Sequence, residues 1–195
     1  MTRYAFLFFH FAKQNKTSRS DEKASRFTQY AVPNIMNINS SSNPNILLIG
    51  VGNEYRRDDG VGRWIARALK AKQLPNAIVT EASGEGTALM EAWKDGGTVF
   101  LFDAVSSGAP PGTIYRLDAH IQPIPQQFFH YSTHAFSVAE AIELARALNQ
   151  LPPRLIVCGI EGKTFEAGVG LSSEVEQAAR EVVERVVQEI QSNLY

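Results

Sequence analysis

The sequence predicts an α/β domain built on a mostly parallel five-stranded sheet. From Asn45 onward, apolar runs of strand length alternate with segments of helical period, which is typical of βα units. Three runs are continuously apolar, as expected of central strands covered on both faces: ILLIG (46–50), TVFLFDA (98–104) and RLIVCGI (154–160). With 195 residues, 44% of them apolar, the chain is long enough for one well-buried domain.

Two further strands are predicted at the periphery of the sheet. AIVTEA (77–82) and TIYRLDA (113–119) alternate between apolar and polar residues, as half-exposed strands do. The turn residues Pro110, Pro111 and Gly112 lead into the second of these runs, which we expect to run antiparallel to the others.

Apolar residues at helical spacing predict three amphipathic helices between and after the strands. The last of them is predicted to begin near Ser173, because Ser173 and Glu176 have capping-box spacing. The inward-facing positions of the three helices are Val61, Trp64, Ile65, Ala68 and Leu69; Val138, Ala141, Ile142, Ala145 and Leu148; and Val175, Ala179, Val182, Val183, Val186 and Ile190.

Residues 1–44 are predicted to be a disordered extension outside the domain, which then covers residues 45–195. The stretch 14–45 is rich in Ser, Asn, Lys and Gln and cannot bury enough apolar surface to offset its ordering entropy. The apolar segment Tyr4–Ala12 resembles a short signal-peptide core, but it is far below the roughly 20 residues that span a bilayer.

The net charge limits the classes of partner that the protein can attract, and the cysteine content indicates its redox compartment. Lys and Arg number 19 against 20 Asp and Glu, so no excess positive field exists to attract nucleic acid or an anionic membrane. The one cysteine, Cys158, excludes an internal disulfide and a cysteine-rich metal cluster, which fits a reducing cytoplasm. Cys158 lies in a strand predicted to be buried, where a thiol is expected to act as a small hydrophobe rather than as a nucleophile.

The first predicted strand is followed by GVGNEYRRDDGVG, which resembles a nucleotide-binding glycine loop but carries two adjacent aspartates. A phosphate cradle uses unpaired backbone N–H groups at a helix N-terminus, and carboxylates there would repel a phosphate. The loop also fails the G-x-G-x-x-G pattern, since Tyr55 occupies the position of the third glycine. The two acids therefore favour a cation over a dinucleotide.

The fold places the other candidate ligands at the same edge. Ligands of open α/β sheets bind beyond the carboxyl ends of the strands, where the strand order reverses. In a 2-1-3 order, Asp58 and Asp59 after the first strand face Asp103 at the end of the third, and the loop containing His134 can reach the same crevice. Two carboxylates and an imidazole suit nickel or zinc, although ligand identity alone does not choose between them.

Each of these residues also has a purely structural interpretation. An N-cap role explains one of Asp58 and Asp59 but not both. Asp103 could close an Asx turn, yet an acid that ends so apolar a run is costly without a partner. His134 could be a loop or capping residue. Three other acids, Glu81, Glu85 and Glu161, are expected to be solvated.

Four segments together resemble the maturation endopeptidases of nickel-iron hydrogenases: GVGNEYRRDDGVG, FDAVSSGAPPGTIYRLD, STHAFSV and GIEGKTFEAGVGLSSEVEQA. They occur in that family's order and spacing, and the resemblance covers residues 46–190. It implies a three-layer sandwich of the phosphorylase/hydrolase-like type. It also implies that Asp59, Asp103 and His134 form the metal site and act as the catalytic residues.

The resemblance further implies an aspartic-type, nickel-dependent endopeptidase. Its partner would be a hydrogenase large-subunit precursor, which loses a C-terminal peptide after nickel has been inserted. The nickel would be carried by this substrate, and the site could bind other divalent metals. Peptide attack by a metal-polarised water and by a water that an aspartate deprotonates both remain open. A monomer is expected, with the oligomeric state left open.

One departure from that family concerns the segment after the second strand. Many members have Asp-Gly-Gly-Thr where this chain has Gly84-Glu85-Gly86-Thr87, so Glu85 is the candidate to replace that aspartate. Two other functions remain open from the residues alone. One is a non-enzymatic α/β module that binds a metal or a nucleotide, and the other is an unrelated metal-dependent hydrolase of small substrates.

Overall fold

The computed structural model describes residues 46–125, 128 and 136–192. The predicted extension, residues 1–44, and the candidate ligand His134 lie outside these ranges. Within them the chain forms five strands and four α-helices. The strands are β1 (Ile46–Val51), β2 (Ala77–Ala82), β3 (Thr98–Val105), β4 (Ile114–Asp118) and β5 (Arg154–Glu161), and the helices are α1 (Val61–Ala71), α2 (Gly86–Trp93), α3 (Val138–Ala147) and α4 (Ser173–Gln191).

The sheet has the strand order β2-β1-β3-β5-β4. Neighbouring strands are parallel except for β4, which pairs antiparallel with β5. The three runs predicted to be central are therefore central, the 2-1-3 order is confirmed, and the predicted antiparallel strand is confirmed. The order reverses between β1 and β3, and ligands of open α/β sheets bind beyond the carboxyl ends of the strands at such a point.

Helices cover both faces of the sheet, which makes the domain a three-layer sandwich. Phe100 and Phe102 on β3 point to one face and pack with α1 and α4, with their rings stacked at a centroid distance of 6.5 Å. Val99 and Leu101 on the same strand point to the other face and pack with α2 and α3. This alternation explains why β3 is apolar at successive positions: both of its faces are buried.

Helix α4 begins at Ser173, as predicted, but the capping box predicted for it is wrong. The N-cap position is Ser172, whose side chain makes no capping hydrogen bond, and the Ser173 hydroxyl donates to the Glu174 carboxylate at 2.9 Å. A capping box does form at the start of α3, between Ser137 and Glu140. None of the described helices is both long and apolar enough to span a membrane.

Candidate active site

The predicted acids Asp59 and Asp103 lie at the carboxyl edge of neighbouring strands. Gly50 on β1 pairs with Phe102 on β3, so Asp103 is one residue beyond that pair. Asp59 lies in a short 3-10 turn, Arg57–Gly60, between β1 and α1. The crevice inferred from the sequence therefore brings these two acids to one place.

Gly52 lets the turn approach the end of β3. Its φ is +123°, a left-handed conformation that side chains disfavour. A Cβ at this position would lie 1.8 Å from the backbone oxygen of Asp59 and 3.8 Å from Oδ1 of Asp103. The glycine that resembles part of a phosphate loop thus serves to seat one acid beside the other.

Asp103 is a buried carboxylate, with 7% of its surface exposed. Within the described part of the chain, the hydrogen bond that it accepts comes from the N–H of Ala104, at 2.8 Å. Burial raises the pKa of Asp103 well above its usual range, and the nearby charge of Asp59 raises it further; the Ala104 N–H lowers it less. This carboxylate is therefore a strong candidate to hold a proton or to bind a cation.

Asp59 is half-buried, and its carboxylate also orders the glycine loop. Its Oδ2 accepts the backbone N–H of Asn53 at 3.1 Å, while the side-chain oxygen of Asn53 accepts the N–H of Tyr55 at 3.0 Å. These hydrogen bonds hold the glycine loop against the 3-10 turn that contains Asp59. The carboxylate of Asp59 is consequently held by the backbone that follows Gly52.

Asp58 has a different role from the ones expected for it. Its side chain is fully buried and points away from its own helix, toward the loop between β5 and α4. Oδ2 accepts the N–H groups of Lys163 and Thr164 at 2.9 and 3.0 Å and the Ser172 hydroxyl at 3.0 Å, while Oδ1 accepts the Ser172 N–H at 2.7 Å. Asp58 therefore fastens this loop to the turn that carries Asp59.

Glu161 was expected to be solvated, and this expectation is wrong. It is 2% exposed at the end of β5, and its carboxylate accepts three hydrogen bonds from Ser107 and Gly108. The signal was present in the sequence, because Glu161 ends the apolar run RLIVCGI just as Asp103 follows VFLF. The argument that a buried acid requires partners applies to both residues.

The two other acids expected to be solvated have partners on the surface. Glu81 forms ion pairs with Arg63 and Arg67, at 2.7 and 2.9 Å. Glu85 caps α2, a helix that the sequence did not indicate: its carboxylate accepts the N–H groups of Thr87 and Ala88 at 3.1 and 2.9 Å. The geometry of Glu85 is that of an N-cap, whereas its suggested replacement of the family's aspartate stays a prediction.

Cys158 is buried in β5, as expected. Burial raises the pKa of its thiol to about 12, so the thiolate needed for nucleophilic attack is scarce at neutral pH. This residue belongs to the core and not to the site.

The third predicted ligand, His134, falls in the stretch 129–135 that lies outside the described residues. Across the ranges that are described, no three His, Cys, Asp or Glu side chains cluster closely enough to hold a metal ion. Phe136, two residues beyond His134 in the sequence, contacts the start of α2, where its carbonyl accepts the Gly86 N–H at 3.1 Å. The described part of the site thus consists of the acid pair Asp59 and Asp103.

A sequence profile of the hydrogenase maturation proteases matches residues 64–189. The chain belongs to this family. A putative hydrogenase maturation protease from Methanocaldococcus jannaschii is 30% identical over 151 residues, which cover 74% of this chain and 96% of that protein. Hydrogenase maturation proteases are peptidases, and they are the class that the four sequence segments resemble.

Two other relatives agree with this assignment. The hydrogenase expression/formation protein HupD from Thiocapsa roseopersicina is 30% identical over 122 residues, 62% of this chain and 55% of that protein, so the matched region spans about half the length of that relative. The solution structure of an endopeptidase from Escherichia coli superposes with a TM-score of 0.65 at 25% identity, covering 76% of this chain and 93% of that one.

Proposed function

We propose that this hydrogenase maturation protease removes a C-terminal peptide from a hydrogenase large-subunit precursor after nickel insertion, using Asp59, Asp103 and His134. The observation that carries the proposal is the state of Asp103. Its carboxylate is buried and has a raised pKa, and among the described residues it accepts one hydrogen bond, from its own neighbour in the chain. Such a group is costly in a folded protein unless a ligand or a reaction uses it.

Two other buried acids at this edge, Asp58 and Glu161, support a functional role for Asp103 because they have more hydrogen-bond donors than it does. Asp58 accepts four hydrogen bonds and Glu161 accepts three, so both are fully used in holding loops. Asp103 lacks comparable donors among the described residues, and the charge of the Asp59 carboxylate helps to raise its pKa. Two adjacent acids can be relieved by a shared proton or by a cation between them.

The donor set fits a divalent ion that arrives with the substrate. Carboxylate oxygens from Asp59 and Asp103, with an imidazole nitrogen from His134, suit nickel and zinc. In the proposed reaction these residues form an incomplete set of ligands, and nickel already held by the precursor completes it. Contact with the nickel then aligns the scissile peptide bond and makes cleavage depend on metal insertion.

The attack on the peptide bond has two forms that the residues allow. A water molecule could be polarised by the metal, or Asp59 or Asp103 could accept its proton as a general base. Both forms require the acid pair, and both place the reaction in the crevice between β1 and β3. We assign the reaction to the cytoplasm, where a single buried thiol such as Cys158 remains reduced.

The test is to incubate the full chain with nickel-loaded and nickel-free precursor and to resolve the products by mass. The proposal expects loss of one C-terminal peptide from the nickel-loaded precursor, and no loss from the nickel-free one. Asp103→Asn should abolish the cleavage, while Glu91→Gln, on the exposed face of α2, serves as the control and should cleave like the wild type. Cleavage by Asp103→Asn at the wild-type rate would refute the proposal.

A further inference from the structure

Two apolar side chains near the acid pair are exposed to solvent, and the proposed reaction gives them no role. Tyr55 is 68% exposed and Val169 is 65% exposed; of the large apolar residues that the structure describes, Ile121 alone is more exposed, at 81%. Isolated apolar residues are normal on a protein surface. Tyr55 and Val169 differ from that case because their loops are bonded to each other, although more than a hundred positions separate them in the sequence.

Backbone hydrogen bonds join the two loops. The Gly168 N–H donates to the Tyr55 carbonyl at 2.9 Å, and the Arg57 N–H donates to the Gly168 carbonyl at 3.0 Å. The Arg57 guanidinium also donates to the Val169 carbonyl at 3.3 Å. A Cβ at Gly168 would lie 2.5 Å from Nε of Arg57, so glycine is needed where the arginine side chain lies against this backbone. The chain that carries Tyr55 is therefore fixed directly against the chain that carries Val169.

The loop that carries Val169, residues 162–172, is anchored to the domain on either side of this residue. Asp58 accepts hydrogen bonds from backbone N–H groups near both ends of the loop. Two other apolar residues of the loop, Phe165 and Leu171, pack against the core. Val169 lies between them in the sequence and stays exposed, so the loop presents this one side chain to solvent from a fixed backbone.

The loop that carries Tyr55 is connected to the proposed ligand Asp59. Oδ2 of Asp59 accepts the Asn53 N–H at 3.1 Å, and Oδ1 of Asn53 accepts the Tyr55 N–H at 3.0 Å. Two hydrogen bonds thus link the backbone of Tyr55 to the carboxylate of Asp59. A polypeptide whose scissile bond lies at this carboxylate has neighbouring residues within reach of Tyr55.

We propose that the side chains of Tyr55 and Val169 form a docking surface for apolar side chains of the precursor, next to the bond that is cleaved. Tyrosine is enriched among the residues that contribute most to binding, because its ring supplies a large contact area with few rotatable bonds. A backbone that is fixed before binding also lowers the entropy cost of association. The inference rests on the proposed function for the identity of the partner.

Four variants of the full chain separate docking from folding. Tyr55→Ser and Val169→Ser each remove apolar area and leave the backbone hydrogen bonds of both loops in place. Tyr55→Phe keeps the ring and removes the hydroxyl. Ile121→Ser is the matched control, because it removes an exposed apolar side chain beyond β4, which ends near the start of β5 and so at the edge of the sheet opposite the acid pair.

Steady-state cleavage of nickel-loaded precursor gives kcat and KM, and biolayer interferometry with nickel-free precursor gives a Kd without cleavage. Tyr55→Ser and Val169→Ser should each raise KM and Kd by about 5- to 30-fold and leave kcat unchanged, because binding shared by the ground state and the transition state is lost. Tyr55→Phe and Ile121→Ser should keep the wild-type values. All four melting temperatures should stay within about 2 °C of the wild type, since these side chains are exposed.

Wild-type KM and Kd in both serine variants would overturn the inference. An equal rise in Ile121→Ser would overturn it too, and so would a fall in kcat with KM unchanged. A second copy of this chain is the competing occupant: a wild-type dimer in analytical ultracentrifugation that Tyr55→Ser dissociates would assign the surface to that copy and overturn the inference.

The two measurements also distinguish failure of the inference from failure of the proposed function. If the wild type binds the precursor but does not cleave it, the proposed function fails, and the Kd values still decide the role of Tyr55 and Val169. If it cleaves nickel-loaded precursor but does not bind the nickel-free form measurably, KM decides. If it neither binds nor cleaves the precursor, the proposed function and the inference both fail.

Discussion

Asp58 and Asp103 are two buried carboxylates at the same edge of the sheet, and they differ in the hydrogen bonds that offset the cost of burying their charge. Asp58 accepts four hydrogen bonds from residues 163, 164 and 172, more than a hundred positions away in the sequence. From the described residues, Asp103 accepts one, donated by the residue that follows it. Burial is similar in the two, so burial alone does not mark a functional acid.

The difference shows how a buried acid with many hydrogen-bond donors and a buried acid with few among the described residues act in one fold. A carboxylate surrounded by donors stabilises the structure and has no capacity left for chemistry. A carboxylate with few donors and a like charge nearby destabilises the structure, and proteins retain such groups at sites where a ligand or a proton relieves them. Asp58 and Asp103 represent these two cases.

The largest expected effect is on cleavage. Asp103→Asn should reduce precursor cleavage by at least about 100-fold, because the group proposed to act on nickel or on water is removed. His134→Ala should have a similar effect, and the double variant should be scarcely worse than either single one, since residues acting as a unit are not additive. Rates from quantitative mass analysis that multiply in the double variant would contradict a shared site.

The next largest effect is expected on the free energy of unfolding, which should distinguish the two adjacent aspartates. Asp58→Asn should lower the free energy of unfolding by roughly 2–4 kcal/mol, because an amide NH2 must then face a donor such as the Ser172 N–H. Asp59→Asn should change it by less than about 1 kcal/mol, since its side chain is partly solvated. Urea unfolding of both variants checks this, and equal losses would show that the contrast between the two residues is wrong.

A smaller effect should appear in the pH dependence of stability. Because burial raises the pKa of Asp103, the folded protein keeps a proton that the unfolded chain has already released, so this residue destabilises the fold increasingly as pH rises from about 4. Asp103→Asn removes that penalty. Its melting temperature should exceed that of the metal-free wild type at neutral pH, and the difference should shrink near pH 4. A constant difference across this range would mean that Asp103 is not the titrating group.

The smallest effect is expected where carboxylates are exposed. Arg67 pairs with Glu54 and Glu81 on the surface and lowers the pKa of both. Because such pairs are screened by solvent, Arg67→Ala should lower the melting temperature slightly at low ionic strength and not at about 1 M NaCl. A large loss of melting temperature that persists at the high salt concentration would contradict this prediction. It would show that the ion pairs of Arg67 stabilise the fold in the way proposed for the hydrogen bonds of Asp58.

Most of the fold could be predicted because hydrophobic patterning determines it. Continuous apolar runs identified β1, β3 and β5 as central, and alternation identified β2 and β4 as peripheral. Helix α2 could not be predicted in the same way, because it is short and begins at the side chain of Glu85, a residue without a strong N-cap preference. The start of α4 near Ser173 was predicted correctly, but the capping box was not, because the N-cap position is Ser172 and the hydroxyl of Ser172 donates to Asp58.

The site was predictable to a smaller extent. The meeting of Asp59 and Asp103 follows from strand order, which the sequence pattern determines. The roles of Asp58 and Glu161 depend on N–H groups that distant loops present to them, and backbone donors leave no trace in residue types. The same physical rule, that a buried charge needs partners, holds for all of these acids. The sequence does not identify those partners, whereas the structure does.

The four bonds of Asp58 also bear on the order in which the molecule assembles. They join the first motif of the domain to the segment that precedes its last helix, so they cannot form until nearly all of the chain has left the ribosome. Contacts of such long sequence separation close late, because the entropy of the intervening loop must be lost first. The turn that carries Asp59 therefore reaches its final place after the sheet is built, and in a growing chain the carboxyl edge of β1 and β3 stays unfinished until residues 163–172 have emerged.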